Sequence, residues 1–388
     1  MLKLSLDEAP KAVKLAVPEL PAFATHKPDF GQLSEIAARF EPKRHIILIG
    51  RGGSTASAEA LWKALGLYKL GQKQLHFLTT TDPDYITYLK RLCKPGESAV
   101  IVVSKSGETI DVLEDLLAFR YYETLIMTSP GSTLAELAAM RKSEIIEHPE
   151  LGGRYAGCTE VGLLPIAAAG IDPKPIWEGA QQQYARCAPS REIKRNAALA
   201  LAARLAELEQ RGYTEVLAAI YCHALKGFAG LITQLMHESV CKEGKGQSWL
   251  VFDGPQWQHH TSQRLFGGRR NMALILLRVT GFEHESKIEL SARALAIKKL
   301  AELEGLRYSQ SLAFEAMGVA GAATATKIPY AQLLLDRVSS GTVGALMAFL
   351  HYLTYYSALL RGVNPFDQPA VEEAKVRSAE LRHKFGRR

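Results

Sequence analysis

From His45 onward the chain alternates short, almost wholly apolar runs with longer stretches whose apolar positions recur every three or four residues. The runs His45–Ile49, Leu75–Thr79, Ala99–Val103 and Thr124–Thr128 predict strands. Between them Ser57–Leu67, Asp84–Leu92, Ile110–Ala118 and Ser132–Arg141 predict amphipathic helices. Short strands that are apolar throughout belong to a parallel sheet covered on both faces. A helical zone follows, Pro175–Cys187 and Arg191–Gln210, broken at Pro189. The alternation then restarts with a strand at Glu215–Tyr221, a long helix at His223–Lys242, and strands at Ser248–Phe252 and Ala273–Val279. No short sequence period is visible, so the two blocks are related in design rather than in letters.

Two stretches stand outside that alternation. Residues 1–44 carry five prolines (Pro10, Pro18, Pro21, Pro28, Pro42) around short helical patterns such as Gln32–Phe40, which predicts a wrapping N-terminal arm. Val343–Leu360 is apolar at most positions and about as long as a minimal membrane span. It also holds His351, Thr354, Ser357 and three tyrosines, and it stands alone, so a buried helix between domains is expected. The expected fold class is α/β, with two doubly wound parallel-sheet domains, a helical N-terminal arm and C-terminal helices. The expected divisions are 1–44, 45–187, 188–340 and 341–388.

A length of 388 residues suits two or three domains. Apolar residues at 47% and charged residues at 22% exclude a disordered chain. The net charge of +7 is mild and densest in the tail Arg377–Arg388. It suits an anionic small substrate, and no basic–aromatic motif stands behind a nucleic-acid reading. The five cysteines are odd in number and form no C-x-x-C pair, which argues against a disulfide scaffold or a structural zinc site. His237 with Cys241, or His259 with His260, lacks the carboxylates a metal site would add, so no metal and no cofactor are expected. The N-terminus lacks the continuous apolar core of a signal peptide, and a cytoplasmic, membrane-free protein is expected.

Chemistry concentrates in two turns. Gly50-Arg51-Gly52-Gly53-Ser54 lies between the first strand and a helix, where backbone N–H groups can face an anion. A dinucleotide fingerprint is not met: Thr55 takes the third glycine position, and no acidic residue ends the next strand. The second turn, Ser104-Lys105-Ser106-Gly107-Glu108-Thr109, offers three hydroxyls, an ammonium and open backbone donors at one helix N-terminus. A phosphate monoester calls for such a set. A simple N-cap would need only one of those hydroxyls.

G-G-S at 52–54 and S-K-S-G-E-T at 104–109 resemble the sugar-phosphate loops of the phosphoglucose isomerase family. Further blocks of that family's pattern follow in order: Leu151-Gly152-Gly153-Arg154-Tyr155, Gln234–Ser239 around Glu238, Gln258–Gln263, and Asn364–Lys375. The resemblance implies two sugar-isomerase-type domains and interconversion of glucose 6-phosphate and fructose 6-phosphate through an enediolate. It implies Glu238 as the proton shuttle, Arg154 as the cation beside the enediolate, and His259 with Lys375 for ring opening. Gly53, Ser54, Ser104, Lys105, Ser106, Thr109 and Gln368 are implied as substrate-binding residues. It also implies a homodimer in which His259 crosses to the other subunit, with His260 as the alternative if the register slips by one. A mannose 6-phosphate or dual-specificity isomerase, or a non-catalytic sugar-phosphate sensor, are the competing readings; a sensor has no need of Glu238, His259 and Lys375 together. Two positions depart from the pattern. Arg51 replaces a small or apolar residue, facing either the phosphate or solvent, and Cys241 replaces a glycine after the Glu238 helix.

Overall fold

A computed structural model describes residues 2–11, 19–69 and 73–386. The chain opens on a strand, β1 (Leu2–Leu6), and continues through β2 (His45–Gly50), β3 (Gln74–Leu78), β4 (Ser98–Ser104), β5 (Glu123–Thr128) and β6 (Glu144–Glu147). Strands β2 to β6 form one sheet in the order β3-β2-β4-β5-β6, with every pair parallel. Four later strands, β7 (Glu215–Tyr221), β8 (Ser248–Asp253), β9 (Met272–Val279) and β10 (Tyr330–Leu335), form the second sheet. Its order is β8-β7-β9-β10, again parallel, with β1 added antiparallel beyond β10. Both parallel sets therefore wind second-first-third-fourth, a shared design that shows in topology and not in sequence.

The apolar runs split by parity, as a two-faced sheet requires. Ile46, Leu48, Ile101, Val103, Leu125 and Met127 enter a large core that also takes Val216, Ala218, Ile220, Ile275 and Leu277 from the second sheet. Ile47, Ile49, Val100, Val102 and Ile126 face a separate core closed by the helices Pro83–Leu92, Ile110–Ala118 and Thr133–Arg141. The inner faces of the two sheets thus share one apolar interior.

Several expectations change in detail. The N-terminal arm begins with a strand, not a helix: Leu2, Leu4 and Leu6 alternate with Lys3 and Ser5, and Leu4 pairs with Leu333 at the sheet edge. The helix expected over His223–Lys242 is a 3₁₀ turn, His223–Gly227, followed by an α-helix, Phe228–Val240. The helix expected from Arg191 starts at Ala197, where the Asn196 side chain accepts the Leu199 N–H as its N-cap. The helices Glu160–Ala168 and Tyr308–Ala325 and the strands β6 and β10 were not foreseen, whereas Glu372–Phe385 falls in the expected C-terminal helical segment.

The apolar helix Ser340–Leu360 meets the length and composition of a membrane span, but its most apolar window is 83% buried inside the protein. It packs on the helices Lys174–Cys187, Ala197–Gln210 and Phe228–Val240. At Gly344 a Cβ would stand 1.9 Å from the Ile176 carbonyl oxygen, so the helices meet at a distance only glycine permits. Two of its polar side chains are paired within the protein: His351 Nδ1 lies 2.7 Å from the Tyr184 hydroxyl, and the Tyr356 hydroxyl donates to the Cys187 carbonyl at 2.6 Å. Burial drives the His351 pKa down to about 3, so the ring is neutral.

Candidate active site

Strand order reverses between β2 and β4, and ligands of open parallel sheets bind at the carboxyl ends of strands at such a point. Gly50 ends β2 and Ser104 ends β4, on neighbouring strands. The two motif turns therefore stand side by side. Each opens a helix, Gly53–Leu65 and Ile110–Ala118, and neither helix carries a side-chain cap. Two uncapped helix N-termini converging on one cleft form an anion cradle.

In the second turn Ser104 Oγ accepts the Gly107 N–H at 3.2 Å and contacts Thr109 Oγ1 at 3.3 Å. Ser106 Oγ accepts the Glu108 N–H at 3.3 Å. Neither Ser106 nor Thr109 caps the helix Ile110–Ala118 with its side chain. The Glu108 carboxylate turns away to accept the Thr133 N–H and hydroxyl at 2.7 and 2.8 Å, which lowers its pKa and keeps its charge off the loop. Lys105 stands at the rim, 3.2 Å from Glu150.

The first turn is pressed onto the chain at Gly153-Arg154. A Cβ on Gly53 would stand 2.2 Å from the Arg154 backbone nitrogen, so only glycine fits. Gly52 has φ +52°, and a Cβ there would meet Gln234 Nε2 at 2.8 Å. That contact joins the turn to the helix Phe228–Val240, which carries Glu238.

Arg154 is 3% exposed and is the hub of the cluster. Its Nε donates to Ser239 Oγ at 2.7 Å. Nη1 donates to Gln368 Oε1 at 2.7 Å and to Glu238 Oε2 at 3.2 Å, while Nη2 donates to the carbonyls of Pro365 and Asp367 at 2.9 and 3.0 Å. Glu238 accepts a further bond on Oε1 from Gln234 Nε2 at 2.9 Å, and its side chain stays 28% exposed. Its carboxylate is thus held on both oxygens yet open to a ligand.

The structure brings together Gly53, Ser54, Arg154, Glu238 and Gln368, and sets Ser104, Ser106 and Thr109 on the adjoining strand end. His259 lies apart, at the end of the 3₁₀ turn Gln256–His259 after β8. That turn is fastened by Trp257 and Gln258, which donate to the Tyr221 hydroxyl at 3.1 and 2.7 Å. His259 itself is exposed and makes no hydrogen bond among the described residues, whereas His260 packs its ring edge on Phe252 and bonds Thr261. Lys375 does not join the cluster; it pairs with Glu372 at 2.8 Å on the exposed C-terminal helix.

Sequence reasoning missed Gln234, Ser239 and Lys242. Gln234 is four residues before Glu238 and on the same helix face, the signal that could have found it. Lys242 fixes the segment holding Gln368, pairing with Asp367 at 2.5 Å and with the Asn364 carbonyl. Cys241, at φ −79°, needs no left-handed backbone, so the missing glycine costs nothing; positive φ falls at Glu243 and Gly244 instead. His237 accepts the Trp249 N–H at 2.8 Å and Cys241 bonds the Gln247 carbonyl, so each is engaged away from the site.

Arg51 faces neither phosphate nor solvent. Its Nε bonds Asp111 at 2.6 Å and its Nη2 bonds Asp115 at 2.7 Å, while Nη1 reaches the carbonyls of Gly50 and Leu78. The guanidinium clamps the first turn to the helix that begins at the second. Asp115 is fully buried, and its Oδ1 has no partner. Burial, only partly offset by Arg51, pushes its pKa up to about 6.

No family model matches the chain. A glucose-6-phosphate isomerase of Symbiobacterium thermophilum is 30% identical over 393 residues, covering 92% of this chain and 84% of that relative. One of Rubrobacter xylanophilus is 29% identical over 353 residues, covering 85% and 80%. Among solved structures, a Thermus thermophilus protein described as hypothetical matches with a TM-score of 0.83 at 25% identity, covering 90% of this chain and 86% of its own. A Chlamydia trachomatis glucose-6-phosphate isomerase shares the fold with a TM-score of 0.78 at 20% identity, covering 97% and 81%.

The Arg51 clamp has a measurable weight. Arg51→Met should lower unfolding stability in urea by roughly 2–3 kcal/mol. That is less than the ~3–5 of a fully buried pair, because Asp111 is open to water and Asp115 can take up a proton. Since the folded-state pKa of Asp115 lies above its ordinary value, its contribution is complete below about pH 4 and lost as pH rises through about 6. Asp115→Asn should remove that downward step from the stability profile. An unchanged urea midpoint in Arg51→Met, or an unchanged profile in Asp115→Asn, would contradict the clamp.

Proposed function

The chain belongs to the glucose-6-phosphate isomerase family, and we propose that it interconverts glucose 6-phosphate and fructose 6-phosphate, with Glu238 moving a proton between C2 and C1. The observation that carries this reading is the Glu238 carboxylate. It is held by Arg154 and Gln234, exposed on one side, and set beside two helix N-termini suited to a phosphate.

The phosphate sits against Ser104, Ser106 and Thr109, with Lys105 at the rim and the Gly53-Ser54 amides of the first turn along the sugar. With the sugar ring open, Glu238 takes the proton from C2 while the C1 carbonyl oxygen gains negative charge, giving the enediolate. The 2-hydroxyl proton passes to O1, and proton return from Glu238 to C1 with carbonyl formation at C2 then yields the ketose. Through these steps one negative charge passes from Glu238 to the substrate and back. Arg154, buried and paired with Glu238, keeps a fixed positive charge beside that transfer, so little reorganisation accompanies it. Gln368, bonded to Arg154, borders the same space. The charge is met by a fixed guanidinium, and the reading requires no cofactor.

Ring opening needs a proton donor and acceptor at the ring oxygen and C1 hydroxyl. Lys375 and His259 are proposed for it, although neither reaches Glu238 within one chain. His259, exposed on a well-fastened turn, is offered to the site of a second copy, which makes the working unit a homodimer in the cytoplasm.

In heavy water, turnover should place deuterium at C1 of fructose 6-phosphate on one face only, because a proton held on a carboxylate exchanges with solvent. Glu238→Gln should reduce kcat on the order of 10²–10⁴-fold, the contribution of a positioned general base, while substrate binding survives. A complete absence of solvent label, or full activity in the variant, would overturn the assignment.

Subunit sharing is tested by mixing. Glu238→Gln and His259→Ala should each be nearly inactive alone. After unfolding and refolding together, half the dimers are mixed and each carries one intact site, so about a quarter of wild-type activity should return. No recovery would place His259 outside the partner's site.

A further inference from the structure

We infer that His45, His76 and Cys93 form a binding site for one borderline-soft divalent metal ion, zinc above all, at the end of the first sheet opposite the catalytic turns. Three chain segments converge there. His45 opens β2, His76 lies within β3, and Cys93 ends the helix Pro83–Leu92. The donor atoms of all three lie within 4.8 Å of one another. His45 Nδ1 and His76 Nε2 are 3.0 Å apart, with ring centroids at 5.2 Å and planes inclined by 39°. A tetrahedral zinc with ordinary Zn–N and Zn–S lengths sets its ligand atoms roughly 3.3–3.6 Å apart. Modest side-chain rotation closes the cluster onto an ion.

The donor set suits that class of metal. Thiolate with imidazole selects zinc or copper over magnesium or calcium, whose sites are built from oxygen. Cys93 Sγ has no hydrogen-bond partner among the described residues, and the contact that coordination must break is the hydrogen bond between the two histidines, whose proton moves to the other nitrogen of its ring. Burial lowers both histidine pKa values, that of His76 to about 4, which leaves the imidazoles neutral. Burial also pushes the Cys93 thiol up to about 11. Coordination must therefore expel that proton: the S–H bond breaks, a sulfur–metal bond forms, and the proton leaves to solvent. Around the ligands, Ile47, Leu78 and Leu89 supply an apolar wall that strengthens a bond once made.

Access exists from one side. A cleft of about 580 Å³, bordered by Glu41, Arg44, Lys73 and Gln74, reaches His45. Arg44, next to His45 in sequence, is drawn toward Glu97 at 3.8 Å. A water from the cleft would complete four-coordination. Five residue steps of β2 separate His45 from Gly50, about 16 Å at ordinary strand rise. The ion would tie β2, β3 and the helix end together without touching the chemistry.

Cobalt(II) reports such a site directly. The full chain, purified free of metal, should bind one equivalent of cobalt with a near-ultraviolet thiolate-to-cobalt charge-transfer band and tetrahedral visible bands, and zinc should displace it. Cys93→Ser should abolish the charge-transfer band, and His76→Gln should weaken cobalt binding by at least the ~10–100-fold that loss of a supporting partner costs. Cys241→Ser, which removes the exposed cysteine, should leave the band intact. Zinc should raise the melting temperature of the wild type and not of Cys93→Ser. Absence of the band in the wild type, or its survival in Cys93→Ser, overturns the proposal. Should circular dichroism show Cys93→Ser unfolded, His45→Ala on the partly exposed strand end serves instead, under the same expectation of at least ~10-fold weaker binding.

Discussion

A single buried guanidinium ties the candidate-site end of this molecule together. Arg154 places all its N–H donors on groups from distant parts of the chain: Ser239 and Glu238 on one helix, and Pro365, Asp367 and Gln368 near the C-terminus. Its backbone is meanwhile the floor on which Gly53 rests. A charge this deeply buried is tolerated only when paired and fully hydrogen-bonded, and losing one partner leaves several groups unsatisfied at once. The Gly53 turn, the candidate base and the C-terminal segment therefore depend on one residue for their mutual placement.

That dependence explains the two-sheet architecture. The first sheet can build an anion cradle alone, because β2 and β4 deliver two uncapped helices to one cleft. It supplies no carboxylate at the right place. Glu238 comes from the helix after β7, and the shared apolar interior with the helix Ser340–Leu360 sets that helix at its working distance. On the proposed mechanism the phosphate is held by one sheet's loops and the proton by the other sheet's helix. The Arg51 clamp and the Lys242–Asp367 pair then fix the periphery, one on each side.

Much of this was legible in the chain. The seven strands read from apolar runs all exist, because a strand buried on both faces leaves a continuous signal. β1 was not read, since five residues with only alternate positions apolar are easily lost among prolines. Residue type and spacing pointed to the hydroxyl-rich turn Ser104–Thr109, and the family resemblance named Glu238, Arg154, His259, Lys375 and Gln368, while Lys242 gains its meaning only from contacts across the fold. Arg51 shows the limit most plainly: its partners, Asp111 and Asp115, are 60 and 64 residues away, and nothing in the local sequence names them. The same holds for His45, His76 and Cys93, whose spacing matches no metal motif and whose meeting is a product of strand register. Lys375 marks the opposite case, a motif residue that a single chain leaves outside the cluster.

The central claim is that Arg154 stabilises the charge that develops on the substrate, beyond holding the site in shape. Calorimetric affinity for an open-chain phosphosugar hydroxamate, an anion resembling the enediolate, tests it most directly when compared between wild type and Arg154→Lys. Affinity for inorganic phosphate and the melting temperature serve as controls for folding and for the anion cradle. The account predicts that the hydroxamate binds on the order of 10²–10³-fold more weakly in the variant, the usual cost of removing one preorganised oxyanion partner, while phosphate affinity changes little. Equal loss for both ligands, or undiminished hydroxamate affinity in a folded variant, would contradict it.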